Sequence, residues 1–226
     1  GFADQAEVLV KARQASDALG GTRMDRPEWL AIDAVRGEVY CTLTNNSKRG
    51  EPGQPGVDAA NPRAHNVMGQ ILRWKEDGDF DGLTMRWDHL LLAGDPANAR
   101  PDARGNIRGD FFACPDGLYL DPQGLLWIEC DVAPNELHQG EMARIGNNQM
   151  LACDLATGEV RRFLTGPRGC EITGATMTPD CTTLFVNVQH PGEAPTGRNH
   201  PDRPQQQHPG SVGAACRLRQ AAHRGG

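Results

Sequence analysis

The chain lacks the short motifs that mark several large families of hydrolases and nucleotide-binding proteins. No GxSxG, P-loop or GxGxxG motif occurs in its 226 residues, and no Ser-His-Asp order indicates a catalytic triad. No apolar run approaches the roughly 20 residues that a helix needs to cross a bilayer. Acyl-transfer mechanisms, nucleotide binding and a membrane-spanning segment therefore have no support in the sequence.

Paired cysteines and excess positive charge are also missing. The seven cysteines form no CxxC pair and have no regular spacing, which argues against a zinc ribbon, a redox motif or a full disulfide framework. We expect most of them to be small buried residues on strands. The formal net charge of −6 disfavours nucleic acid and anionic membrane surfaces as partners.

The sequence does contain many turn residues and one repeated pattern. Its 27 glycines and 16 prolines are typical of β architecture with many turns. Three segments, residues 28–33, 116–121 and 171–178, open with an acid: Glu28, Asp116 and Glu171. A short turn and an apolar strand follow each segment, at residues 38–43, 125–130 and 184–188.

The strand order predicts an all-β fold, a partial β-propeller with a short N-terminal helix. Strands at 70–74 and 85–92 complete a first four-stranded unit, strands at 149–154 and 160–164 complete a second, and a third stops after two strands. We divide the chain into an N-terminal helical segment (1–21), a partial propeller (22–194) and a disordered or aberrant tail (195–226). About two and a half blades cannot close a ring, so we expect a longer protein. A β-sandwich is the rival fold.

The opening acids predict a metal site. In a propeller, the innermost strands line a central channel, so Glu28, Asp116 and Glu171 are expected to converge at its mouth. Carboxylate oxygens are the ligands that hard cations prefer. The alternative is that these acids serve only as turn residues.

Four polar side chains accompany the acids. Arg26 lies two residues before Glu28, so strand alternation points both the same way; it is either a phosphate ligand or an ion-pair partner of Glu28. Asn46 and Asn61 lie in the loop after the second strand, where amides are able to bind calcium or phosphate. His190 ends the second strand of the third unit and is either a site residue or part of a turn.

Seven stretches resemble the PhoX-type alkaline phosphatases, in order, from about residue 2 to 194. They are MDRPEW (24–29), LTNNS (43–47), ANPR (60–63), PDGL (115–118), GNNQM (146–150), GCEITG (169–174) and FVNVQHPGE (185–193). The match corresponds to the C-terminal portion of such a protein. After residue 193 the sequence departs from the family pattern.

The resemblance implies a large monomeric propeller, exported by the twin-arginine route to the periplasm or beyond, that hydrolyses phosphate monoesters with calcium and iron as cofactors. It makes Arg26 the catalytic, phosphate-binding arginine, and Glu28, Asp116 and Glu171 metal ligands. Asn46 lies in a motif near the site, which suggests substrate binding. The family's iron-ligating cysteine belongs to an N-terminal portion, so no cysteine of this chain, including Cys170, inherits its role.

The function predicted is that of a fragment of a metal-dependent alkaline phosphatase, weakly active or inactive alone, whose substrate is a small phosphate ester. Two alternatives remain open. One is a calcium-dependent lactonase-like propeller hydrolase, which has acids at the channel mouth but no special need for Arg26. The other is a non-catalytic propeller that binds a partner and uses calcium for stability.

Overall fold

The computed structural model describes residues 1–191 and, as backbone only, residues 212–217. The regular secondary structure of the described residues is mostly β-sheet with few helices, which confirms the predicted all-β class. No helix among them has the length and apolar character needed to cross a bilayer.

The N-terminal segment forms two short helices where the periodicity predicted one. Helix α1 spans Gln5–Val10 and α2 spans Ala12–Ala18. The side chain of Asp4 caps α1 by accepting a hydrogen bond from the backbone N–H of Glu7 at 2.8 Å. Lys11 leaves helical geometry, with φ −105° and ψ 36°, and this divides the predicted helix.

The first sheet contains four antiparallel strands in the order β1-β2-β3-β4. Their bounds are Pro27–Asp33, Glu38–Leu43, Gln70–Glu76 and Met85–Leu92. On β1, Ala31 and Asp33 are buried while Leu30 and Ile32 are each 60% exposed, as strand alternation requires.

The second sheet repeats this arrangement and adds a short edge strand. It has the order β5-β9-β8-β7-β6, in which β6 is Pro115–Leu120, β7 is Leu125–Cys130, β8 is Gln149–Asp154 and β9 is Glu159–Thr165. The two-residue strand β5, Arg108–Gly109, pairs in parallel with β9 and was not predicted.

The third sheet contains β10 (Glu171–Met177), β11 (Thr183–Gln189) and β12 (Val212–Arg217). The sequence predicted its first two strands. Strand β12, which pairs with β11, lies in the segment predicted to be disordered or aberrant. The rest of that segment lies outside the described residues.

The first strands of the three sheets lie side by side, since β1 and β10 both contact β6. One apolar core fills the space between the first and second sheets, around Tyr40, Ile71, Phe112 and Leu126. A second core, around Trp127, Met150 and Ile172, joins the second and third sheets. This packing brings the beginnings of β1, β6 and β10 to one end of the molecule, which we call the mouth.

Candidate metal site at the mouth of the three sheets

A left-handed backbone turn precedes each of the three predicted acids. The residues two positions before them, Arg26, Cys114 and Gly169, have φ values of 47°, 52° and 71°. For Arg26 and Cys114 this conformation is strained, because a side chain at positive φ crowds the backbone. In the first two sheets, a backbone N–H from the end of the second strand donates to the carbonyl of the strained residue, at 3.0–3.1 Å. The fold thus builds the same acid-presenting turn repeatedly.

Two of the three predicted acids meet at the mouth, together with a third that the sequence did not single out. Asp116, Asp131 and Glu171 each offer a carboxylate oxygen, and these oxygens all lie within 4.8 Å of one another. We call these three residues the acid cluster. Asp116 comes from β6, Asp131 follows β7 directly and Glu171 begins β10, so the cluster spans two sheets.

The electrostatics of the acid cluster favour a bound cation. Burial raises the pKa of Asp116 to about 6, and the negative charge of Asp131 adds to the effect, although a hydrogen bond with Glu171 opposes it. Burial also raises the pKa of Asp131, and Arg26 offsets this only in part. Carboxylates that repel one another in a buried place are stabilised by a cation that they share.

Arg26 joins the remaining predicted acid, Glu28, to the cluster. Its Nη2 lies 3.2 Å from Glu28 Oε1 and 3.7 Å from Asp131 Oδ2, and its Nη1 donates to Asn45 Oδ1 at 3.2 Å. The guanidinium therefore contacts the site from the first sheet. Its side chain is 49% exposed, so it remains accessible to a ligand from solvent.

His190 lies at the edge of the acid cluster. Its Nε2 is 4.0 Å from Glu171 Oε2, and Gln189 hydrogen-bonds both the same Glu171 oxygen, at 2.9 Å, and His190 Nε2, at 2.8 Å. His190 also has a positive φ of 51°. Both readings of this residue, a site residue and a turn residue, are compatible with this placement.

The two predicted asparagines lie elsewhere. Asn46 forms a backbone bridge to Asn66, its carbonyl accepts a hydrogen bond from the Arg49 N–H, and its side chain accepts one from the Lys48 N–H. Asn61 is buried and hydrogen-bonds Asp25 and Asp58, so its visible role is to support the loop before β1. Their roles in the site stay predictions.

The residues missed by the sequence reading are Asp131 and Asn45. Pro115, beside Asp116, pairs with Cys130, so the residue after Cys130 lies next to the second acid. An acid directly after the second strand of a unit was therefore a usable signal. Asn45 is the neighbour of the predicted Asn46, and it contacts both Arg26 and the Cys114 thiol.

The cysteines near the mouth are buried thiols. Burial raises the pKa of Cys114 to about 12 and that of Cys170 to about 11. Five of the six cysteines with described side chains are buried, and none of these six forms a disulfide, as the sequence predicted for most of them. A thiol with a raised pKa is a poor metal ligand, because the thiolate is the ligating form.

Comparison with known proteins identifies the family. The family model described as Alkaline phosphatase PhoX matches residues 1–192. The chain belongs to the PhoX alkaline phosphatase family. The solved structure of Pseudomonas fluorescens PhoX in complex with vanadate, a transition state analogue, is 49% identical to this PhoX-family chain and has a TM-score of 0.81. The match covers 96% of this chain and 38% of that one, and a search of curated proteins found no match.

Proposed function

We propose that this chain supplies part of the active site of a phosphoric monoester hydrolase, an alkaline phosphatase that acts on small phosphate esters. The main support for this proposal is the position of Arg26, which lies beside the acid cluster and 3.7 Å from Asp131 in a chain of the PhoX family. An arginine next to carboxylate-bound cations is suited to hold a phosphate oxyanion. We expect neither nucleic acid nor a membrane to be a partner of this site.

We propose calcium and iron as the cofactors, held by the acid cluster and Glu28. The residues fit cations because oxygens of three carboxylates, one buried and two half-buried, lie within 4.8 Å of one another, and because the pKa values of Asp116 and Asp131 are raised. When bound, such ions supply Lewis-acid activation of the phosphoryl group and of the attacking oxygen. The oxygen donors suit calcium, and iron is proposed from the family likeness.

Arg26 has the catalytic role in this proposal. Asn45 accepts a hydrogen bond from one edge of its guanidinium, and Glu28 and Asp131 keep the charged group at the mouth. Its remaining N–H groups are able to donate to the phosphoryl oxygens, over which negative charge is spread in the transition state. The ion pair with Glu28 and the phosphate-binding role are therefore compatible. Asn46 and Asn61 remain candidate polar residues of the surrounding loop, and His190 a candidate proton donor or ligand.

We infer that the three sheets are blades of a partial propeller in a longer protein. One face of the first sheet carries Leu30, Leu72, Trp74 and Trp87 and bounds an apolar groove of about 480 Å³. Contiguous apolar surfaces that are open to solvent usually mark a place where another element packs. A further sheet, from the portion of PhoX proteins that this chain does not cover, is the proposed occupant. By family likeness, the full-length protein is an exported monomer, periplasmic or secreted.

We expect the chain to hydrolyse phosphate esters weakly or not at all by itself, because it covers 38% of the solved relative. The test is binding of vanadate to the chain loaded with calcium and iron. Replacing Arg26 with Met removes charge-assisted hydrogen bonds of about 2 kcal/mol, so the affinity for vanadate should fall about thirtyfold. Arg161→Met, on the exposed part of β9, is the matched control.

Unchanged vanadate affinity in Arg26→Met would contradict the role of Arg26. A chain that retains calcium but no iron, and does not bind vanadate, would favour the lactonase-like hydrolase or the calcium-stabilised binding module. Turnover of a lactone substrate by a full-length version separates those two. Rapid turnover of p-nitrophenyl phosphate by the isolated chain would overturn its expected inactivity.

A further inference from the structure

Glu129 is a buried carboxylate beside the acid cluster. It lies on β7, two residues before Asp131, and is 0% exposed. Its Oε2 is 1.8 Å from the position that a Cβ on Gly117 would occupy. Gly117 directly follows Asp116, so the space left by this glycine accommodates the Glu129 carboxylate next to the cluster.

Neither carboxylate oxygen of Glu129 has a hydrogen-bond partner among the described residues. The backbone N–H of Gly174 favours the charged form, but it does not reach hydrogen-bond geometry. The negative charge of Asp116 acts on Glu129 and is repulsive. A buried carboxylate in this situation is strongly disfavoured unless a positive charge or a proton compensates it.

Other buried acids of the chain have such partners. Asp25 binds Arg49 and Asn66, Asp33 binds Arg36, Asp95 binds Arg144, and Asp121 accepts hydrogen bonds from the Trp127 indole and two backbone N–H groups. The fold is therefore able to compensate buried acids with side chains and backbone. At Glu129 these groups are missing, within residues 1–191.

We propose that Glu129 and Asp116 hold a further hard divalent cation, of the calcium class, on the buried side of the acid cluster. The cation compensates both carboxylates, and the absence of a side chain at Gly117 lets the Glu129 carboxylate lie against the backbone next to Asp116. The inference rests on the proposed metal site through the shared ligand, Asp116. The rival explanation is a Glu129 that stays protonated and serves only as a packing residue.

The test is calcium titration of the full chain by calorimetry, beginning with metal-free protein. We expect the wild-type chain to bind more than one calcium ion. Glu129→Gln preserves shape and removes the ligand charge, so it should lose one binding event or weaken it by at least about tenfold. Glu159→Gln, which changes a half-exposed acid of the same sheet, should titrate like wild type.

Asp131→Asn separates this inference from the proposed function. We expect it to weaken the event that belongs to the acid cluster and leave the event that depends on Glu129. If Asp131→Asn loses calcium binding and Glu129→Gln binds like wild type, the cluster site stands and the Glu129 cation is refuted. If both variants titrate like wild type, both sites are refuted.

Thermal unfolding provides a second readout that does not depend on activity. A protonated packing residue predicts the same calcium-induced rise in Tm for Glu129→Gln and wild type, and this result would overturn the proposal. Should Glu129→Gln fail to fold, Gly117→Ala decides the question, because a methyl group there displaces the carboxylate while both acids remain. We expect Gly117→Ala to weaken calcium binding; binding equal to wild type would refute the site.

Discussion

The first and second sheets build the same turn at the mouth with opposite kinds of residue. Arg26 and Cys114 both have positive φ, both precede a proline and an acid, and both carbonyls accept a hydrogen bond from the end of the second strand. The Arg26 side chain is 49% exposed and charged, whereas Cys114 is 0% exposed and lies in the apolar core. One backbone geometry thus presents an exposed charged side chain in one sheet and a buried packing side chain in the next.

The residues that hold the two turns in place also differ in polarity. Asp25, the residue before Arg26, is fully buried and binds Arg49 and Asn66 through its carboxylate and Asn61 through its N–H. Ala113, at the matching position before Cys114, is fully buried in the apolar core. The comparison indicates that a polar network fixes the turn of the first sheet, while apolar packing fixes that of the second.

Exchanging the two turn residues should produce the largest effect. Cys114→Arg places a charge in the apolar core, so we expect it to lower the free energy of unfolding by about 4 kcal/mol or more. Arg26→Cys changes an exposed side chain and leaves the backbone strain alike, so it should cost less than about 1 kcal/mol. Urea denaturation of both variants measures the contrast; equal losses would show that the two turns are supported alike.

Removing the polar support of the first turn should have the next largest effect. Arg49 and Asp25 form an ion pair with both side chains 0% exposed, so Arg49→Met leaves a buried charge and should cost about 3 kcal/mol. The control is Arg161→Met, whose side chain is 70% exposed and pairs with a Glu159 side chain that is 44% exposed, with an expected cost below about 1 kcal/mol. A small loss in Arg49→Met would mean that the first turn does not depend on its polar network.

A smaller effect is expected at the hairpin after β1. Burial alone would raise the pKa of Asp33, but hydrogen bonds from the backbone and guanidinium of Arg36 and from the Val35 N–H more than offset it and lower the pKa. The stabilisation is therefore complete above the unfolded-state pKa, near 3.8, and is lost as pH falls through the lower folded-state value.

Asp33→Asn should remove that pH dependence and cost about 1 kcal/mol at neutral pH. The measurement is the free energy of unfolding between pH 7 and pH 2. Asp121 lies at the matching hairpin of the second sheet and accepts a hydrogen bond from the Trp127 indole. The variant Asp121→Asn shows whether the loss in free energy of unfolding differs between the two hairpins. If the free energy of unfolding of Asp33→Asn still falls at low pH as it does in wild type, Asp33 is not the source of that pH dependence.

The sequence predicted the strands of the first two sheets almost completely, because apolar alternation and glycine-rich turns are local signals. It missed β5, whose two residues carry no periodicity, and β12, where the local pattern does not indicate a strand. It predicted Asp116 and Glu171 from their repeat positions. It missed Asp131, since the register between β6 and β7, which places Cys130 opposite Pro115, includes an irregularity after Pro115.

The amino-acid sequence by itself determined the strand units, the acids that begin them and the family to which the chain belongs. All three depend on the order and spacing of residues along the chain. Only the tertiary structure decided which acids meet, that Asn45 rather than Asn46 contacts Arg26, and that Glu129 lacks a partner among the described residues. These facts depend on strand register and on packing between sheets, where residues far apart in sequence come within a few ångströms of one another.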